Sequence, residues 1–76
     1  MKELLETLVK AIVDNPDDVR VDAVEGDRSV ILQLYVNPDD LGRVIGKQGR
    51  IANALRTIIK TVAVKQDKKA IVEIID

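Results

Sequence analysis

The stretch "LGRVIGKQGRI", residues 41–51, holds three of the chain's four glycines and three basic residues, with no acid. Glycine beside cations points to phosphate chemistry. A backbone without Cβ lets a phosphodiester come close, and the cations neutralise it. Three arrangements use this device. A nucleoside-triphosphate loop needs G-x-x-x-x-G-K-[ST]. Here Gly42 and Gly46 are one residue too close, and Gln48 stands where the metal-binding hydroxyl belongs. A dinucleotide loop needs G-x-G-x-x-G directly after a strand. Here the spacing is G-x-x-x-G-x-x-G, and a helical stretch precedes it. The third arrangement is a G-x-x-G turn between two helices, and Gly46, Lys47, Gln48 and Gly49 fit it. The helix after such a turn aims free N–H groups and its positive end at the turn. Lys47 and Arg50 add charge, and Arg43 lies about one helical turn back. Such a site holds phosphates and carries no information about bases. A plain helix–helix turn with a glycine C-cap explains one glycine. It leaves the second glycine and the basic load unexplained.

The charge pattern extends the signal. Residues 41–66 carry six basic residues and no acid, while the rest of the chain carries six basic and thirteen acidic. The net charge of −1 therefore conceals a local positive field. Arg56 and Lys60, four apart on a helical stretch, either extend this basic face or simply face solvent. With no Cys and no His, the chain offers no disulfide, no thiolate and no zinc site, and no cofactor is expected. No nucleophile–base pair is present either, so an enzyme is not expected. Aromatic residues amount to one Tyr. That argues against nucleic-acid modules that stack bases on aromatic side chains. The core must be aliphatic. No apolar run approaches the roughly 20 residues of a membrane span, nor does the N-terminus resemble a signal peptide. A cytoplasmic protein without membrane contact is the expectation.

The 76 residues predict one domain, 1–76. Leu4, Leu5, Leu8, Val9, Ile12 and Val13 form one apolar stripe and predict a helix from 2 to about 14. "DNPDD" stops it. Residues 19–25 alternate apolar and polar, "GD" at 26–27 predicts a hairpin turn, and 28–36 is a second strand. In that strand Val30, Leu32, Leu34 and Val36 share one face. Ile31, Gln33 and Tyr35 share the other, with Tyr35 expected at a sheet face. The second "NPDD", at 37–40, reads as a helix start with Asn37 as cap and Pro38 in the first turn. A short helix to about Ile45 precedes the glycine turn. A longer one, from about Arg50 to Val64, carries the stripe Ile51, Leu55, Ile58, Ile59 and Val62, with Ala52, Ala63 and Val64 off it. Residues 70–76 form a last strand, able to pair in parallel with 28–36 after the helical crossover. The expected fold class is α+β, in the order α-β-β-α-α-β, with three helices on one face of a three-stranded mixed sheet.

The segment "GRVIGKQGRIANALR" resembles the signature of KH domains, whose G-x-x-G loop clamps nucleic-acid backbone. The element order resembles the type II, bacterial arrangement over the whole chain. A 76-residue chain with one such unit is similar to the small bacterial RNA-binding proteins of the KhpA family. The resemblance implies single-stranded RNA as ligand, bound with little base selectivity. It also implies a homodimer, or a heteromer with a larger KH-domain protein of the KhpB (Jag) type. RNA chaperoning or post-transcriptional control linked to growth and cell shape would be the task. Carried onto this chain, the RNA-binding residues would be Arg43, Ile45, Gly46, Lys47, Gln48, Gly49, Arg50, Ile51 and Ala54. Val72 or Ile74 would lie opposite, and Lys68 and Lys69 would stand on the second jaw of the groove. The dimer surface would be either the long helix or the open sheet face, where Val24, Ile31 and Tyr35 are expected. The competing reading is a protein-interaction module in which the fold serves dimerisation or a partner.

Overall fold

A computed structural model describes residues 1–75. Helix α1 spans Lys2–Lys10 and is followed by a short 3-10 helix at Pro16–Asp18. Strands β1 (Arg20–Glu25) and β2 (Ser29–Tyr35) come next, then the helical segment α2 (Pro38–Lys65) and strand β3 (Lys69–Ile74). Non-helical backbone at residues 46–49 breaks α2 into two arms, residues 38–45 and 50–65. With α1, these arms supply the three expected helices. The sheet order is β1-β2-β3. β1 pairs with β2 antiparallel, and β2 pairs with β3 in parallel. The fold is α+β with a mixed three-stranded sheet.

Alternation along the strands decides the two faces. Val21, Val30, Leu32, Leu34, Ala70 and Val72 are buried under the helices. They pack against Leu5 and Val9 of α1, Val44 of the first arm, and Leu55 and Ile59 of the second. Two expectations about the long arm change. Ala52 and Ala63 lie in the buried face, 3% and 1% exposed, whereas Ile58 is 40% exposed. The buried stripe is therefore 52, 55, 59 and 63, and its two alanines let the helix lie close to the sheet. The periodicity alone favoured the bulkier Ile58. On the open sheet face Val24, Ile31 and Ile71 are paired in one row. There the Arg20 guanidinium sits 4.0 Å from the centre of the Tyr35 ring.

Two boundaries move for identifiable reasons. Helix α1 stops at Lys10 rather than about 14. The N–H groups of Asp14 and Asn15, which a longer helix would use, donate instead to the Asp40 carboxylate at 3.1 and 3.0 Å. The hairpin turn is shifted by one residue. Gly26 N–H donates to Ser29 O at 2.8 Å, so Asp27 and Arg28 form the turn.

The two "NPDD" tetrapeptides lock together. Asn15 Nδ2 donates to Asp40 at 3.1 Å, and Asn37 Nδ2 donates to Asp18 at 2.8 Å. Each asparagine thus reaches the last aspartate of the other copy. Asn37 also caps α2, accepting from Asp39 N–H at 2.8 Å. Asp40 is 2% exposed and is the one buried charged residue among those described. Burial pushes its carboxyl pKa up. Hydrogen bonds from the Asn15 side chain and from the Asp14 and Asn15 backbone, with the nearby Arg43 charge, outweigh that and hold it below its ordinary 3.8.

Candidate nucleic-acid interface

The first arm of α2 is fixed at its start by the Asn37 cap and the Asp40 latch. At its end the chain turns through four non-helical residues. Gly46 is extended, with φ −74° and ψ −174°. Lys47, Gln48 and Gly49 are left-handed, with φ of 53°, 62° and 73°. Glycine adopts that region freely, but for Lys47 and Gln48 it costs roughly 1–2 kcal/mol each. Consecutive left-handed residues with full side chains are strain concentrated at one exposed point. Such strain persists where the surrounding fold over-determines it, and it clusters at binding sites.

The glycines divide the work in a way the spacing did not reveal. Gly49 is favoured by its φ of 73°, the region that Lys47 and Gln48 enter at a cost. Gly46 and Gly42 are not required by any positive φ, and a Cβ built on either meets nothing within 4 Å. The fold has room for a side chain at both. Gly42 even weakens the helix it sits in, by roughly 0.5–1 kcal/mol relative to alanine. What their bareness provides is an open backbone surface on the outside, where another molecule's backbone can lie close.

The structure places the expected residues as follows. Lys47 and Gln48 are exposed at the elbow, and Arg50 is exposed as the first residue of the second arm. Lys47 shares a hollow of about 480 Å³ with Ile12, Gly42, Arg43 and Ile51. Arg43 is not free there. Its guanidinium pairs with Asp14 at 3.2 Å and donates to Ile12 O at 3.3 Å, which holds it toward the end of α1. Ile45 and Ala54 are exposed beside the elbow and do not line the groove between the long arm and β3. That groove has two sections. The first, about 210 Å³, is lined by Arg56, Lys60, Ala70, Ile71 and Val72. The second, about 400 Å³, brings Lys68 and Lys69 together with Lys60, Val64 and Ile71. The wall opposite the long arm is Ala70, Ile71 and Val72.

Arg56 and Lys60 are the residues that sequence reasoning left undecided. Their spacing of four in an acid-free stretch was the available signal. The strand that arrives beside them separates the two: Lys60 stays exposed, and Arg56 does not. Arg56 Nε donates to the Val72 carbonyl at 3.3 Å, so the side chain is anchored in the groove and does not float on a solvated face.

A three-stranded mixed sheet covered by three helices, with a G-x-x-G elbow between two of them and a basic groove beside the parallel edge strand, defines a KH domain. A comparison with family models agrees: residues 2–74 match the family described as KhpA/KhpB, KH domain. The chain belongs to that family. It is 60% identical over 75 residues to the RNA-binding protein KhpA of Clostridium acetobutylicum, covering 99% of this chain and all of that one. It is 56% identical over 75 residues to the RNA-binding protein KhpA of Caldanaerobacter subterraneus, again covering 99% of this chain and all of that one. The protein of that name from Aquifex aeolicus is 47% identical over 76 residues, all of this chain and 96% of that one. No solved structure matches the chain significantly. Among the described residues, no helix is long and apolar enough to cross a membrane.

Proposed function

We propose that this chain is a non-catalytic binder of single-stranded RNA that grips the sugar-phosphate backbone at the 46–49 elbow. The observation that carries this reading is the elbow itself. Two non-glycine residues are held left-handed and exposed between Gly46, whose outer surface is bare, and Gly49, at the positive end of a helix. The names of the relatives support RNA as the ligand. Phosphates would lie against Gly46, Lys47 and Gln48, with Arg50 close by. Bases would point along the long arm toward β3, over Arg56, Lys60 and Val72. Arg43 would contribute only by leaving Asp14. Few phosphates carry most of the affinity in such a mode. Binding should therefore weaken with salt, at a slope near −0.7 per neutralised phosphate. Weak, backbone-centred binding suits an RNA chaperone or post-transcriptional regulator working as an assembly, where two grooves gain by avidity.

A second reading is favoured by one observation. On the long arm Ile58 and Val64 are 40% and 74% exposed, with Thr57 and Thr61 beside them, and between Arg50 and Lys65 that strip carries no charge. An uncharged, partly apolar helix face suits self-association or a related KH partner. A homodimer would fit it, as would a heteromer with a larger protein of the KhpB type. The test of both readings is fluorescence anisotropy of a labelled single-stranded RNA, with wild type and Lys47→Asp/Gln48→Asp, and with oligomeric state measured alongside. Binding by wild type alone supports the clamp. Equal binding, or none, leaves the interaction-module reading standing.

A further inference from the structure

We infer that Arg56 reads base identity, giving the groove a preference for bases that present two adjacent hydrogen-bond acceptors, cytosine and guanine, over adenine and uracil. The inference rests on the RNA-binding reading and makes it more specific. Its basis is how Arg56 is held. Nε donates to the Val72 carbonyl, 3.3 Å away on the outer edge of β3, and among the described residues it is the one guanidinium nitrogen engaged. No carboxylate stands within ion-pair distance of Arg56 among the described residues; the two ion pairs found there belong to Arg20 and Arg43. The side chain is half-buried and lines the narrower section of the groove, facing Ala70, Ile71 and Val72. An anchored arginine with no acid beside it leaves its Nη1 and Nη2 donors for whatever enters.

The geometry of the guanidinium then selects. With Nε fixed, the remaining end is a planar pair of donors, suited to two acceptors side by side. Cytosine offers O2 and N3. Guanine offers O6 and N7. Adenine places an amino donor beside each of its ring acceptors on those edges, and uracil places N3–H between its two carbonyls. Each therefore satisfies one donor and confronts the other. Lys60, four residues on and lining the same section, is a single flexible cation that adds charge without that discrimination. The elbow thus supplies grip, and Arg56 supplies choice.

The test compares unstructured RNA decamers of A and U with the same decamers carrying two adjacent C or two adjacent G residues, by anisotropy at fixed salt. Wild type should bind the C- or G-containing RNAs roughly tenfold more tightly, within the range for one bidentate base contact. Arg56→Lys keeps the charge and should keep the salt slope, but should reduce the preference to about twofold or less. Arg56→Gln, which retains a donor for the Val72 carbonyl, should lose the preference with little change in melting temperature. That guards against reading a folding defect as a specificity effect. A wild type that binds all of these RNAs equally, through Lys47 and Gln48, overturns the role of Arg56 and leaves the clamp intact. So does a preference that survives in Arg56→Lys. No binding of any RNA by wild type removes the clamp as well.

Discussion

The two ends of the first arm of α2 make opposite use of polar groups. At the start, Asp40 is buried and every demand is met: three N–H donors reach its carboxylate, and Asn37 caps the helix. At the far end, seven and eight residues on, Lys47 and Gln48 are exposed and left-handed, and among the described residues neither side chain has a hydrogen-bond partner. The latch is a closed account of hydrogen bonds, and the elbow is an open one. The difference teaches where the molecule spends its structure. Rigidity at one end of the arm holds a strained turn at the other, so that under the proposed function a ligand would meet a preformed surface and need little ordering on binding.

This contrast can be broken at either end. The largest effect should come from the elbow. Lys47→Asp/Gln48→Asp places two negative charges where phosphate would lie, and RNA affinity should fall at least about tenfold. Thermal melting should stay within a degree or two of wild type, because neither side chain touches the core. Loss of stability with retained binding would reverse the assignment. Next is the latch. Asp40→Ala leaves the donors of Asp14 and Asn15 without their acceptor, and the melting temperature should drop by roughly 5–10 °C. RNA affinity, measured well below the melting point, should fall less than for the elbow variant.

Titration sharpens the same distinction. Asp40's folded pKa lies below its ordinary 3.8. Its contribution to stability is therefore complete above the unfolded value and is lost as pH falls through the folded one. The melting temperature should be level from pH 7 to 5 with respect to this group and decline below about pH 4. In Asp40→Asn that acid limb should be shallower. The smallest effects belong to the glycines. Gly42→Ala should raise stability by roughly 0.5–1 kcal/mol, because it removes a glycine from a helix interior where a Cβ has room. The same change should weaken RNA binding severalfold, by covering the bare surface. Gly49→Ala should do the reverse in stability, because its φ of 73° disfavours any Cβ. If Gly42→Ala left RNA affinity untouched, the bare surface would lose its meaning.

Much of this was legible beforehand because it is local. The hydrophobic alternation of 28–36 fixed which residues of β2 face the core, and Val30, Leu32 and Leu34 are indeed buried. The Asn37-Pro38 pair announced a helix start, and the glycine spacing located the elbow to the residue. Long-range contacts were not legible. The ion pair that ties Arg43 to an aspartate 29 residues away has no signal in the spacing. Helix α1 ends earlier than its apolar stripe predicts because donors beyond it are taken by a residue 25 positions on. The periodicity of the long arm puts Ile58 in the core stripe, because hydrophobicity cannot tell that a sheet lying close will prefer Ala52 and Ala63.

The sequence by itself determined the order of elements, the parallel return of the last strand and the position of an acid-free glycine turn. Periodicity, capping and backbone freedom act within a few residues, so they can be read along the chain. Only the tertiary structure decided that the two "NPDD" copies lock together. It likewise decided that Lys47 and Gln48, not the first glycine, carry the left-handed turn, and that Arg56 is anchored on Val72 at the edge of β3. Each of these depends on which distant groups arrive at hydrogen-bonding distance, and that is a property of packing rather than of spacing.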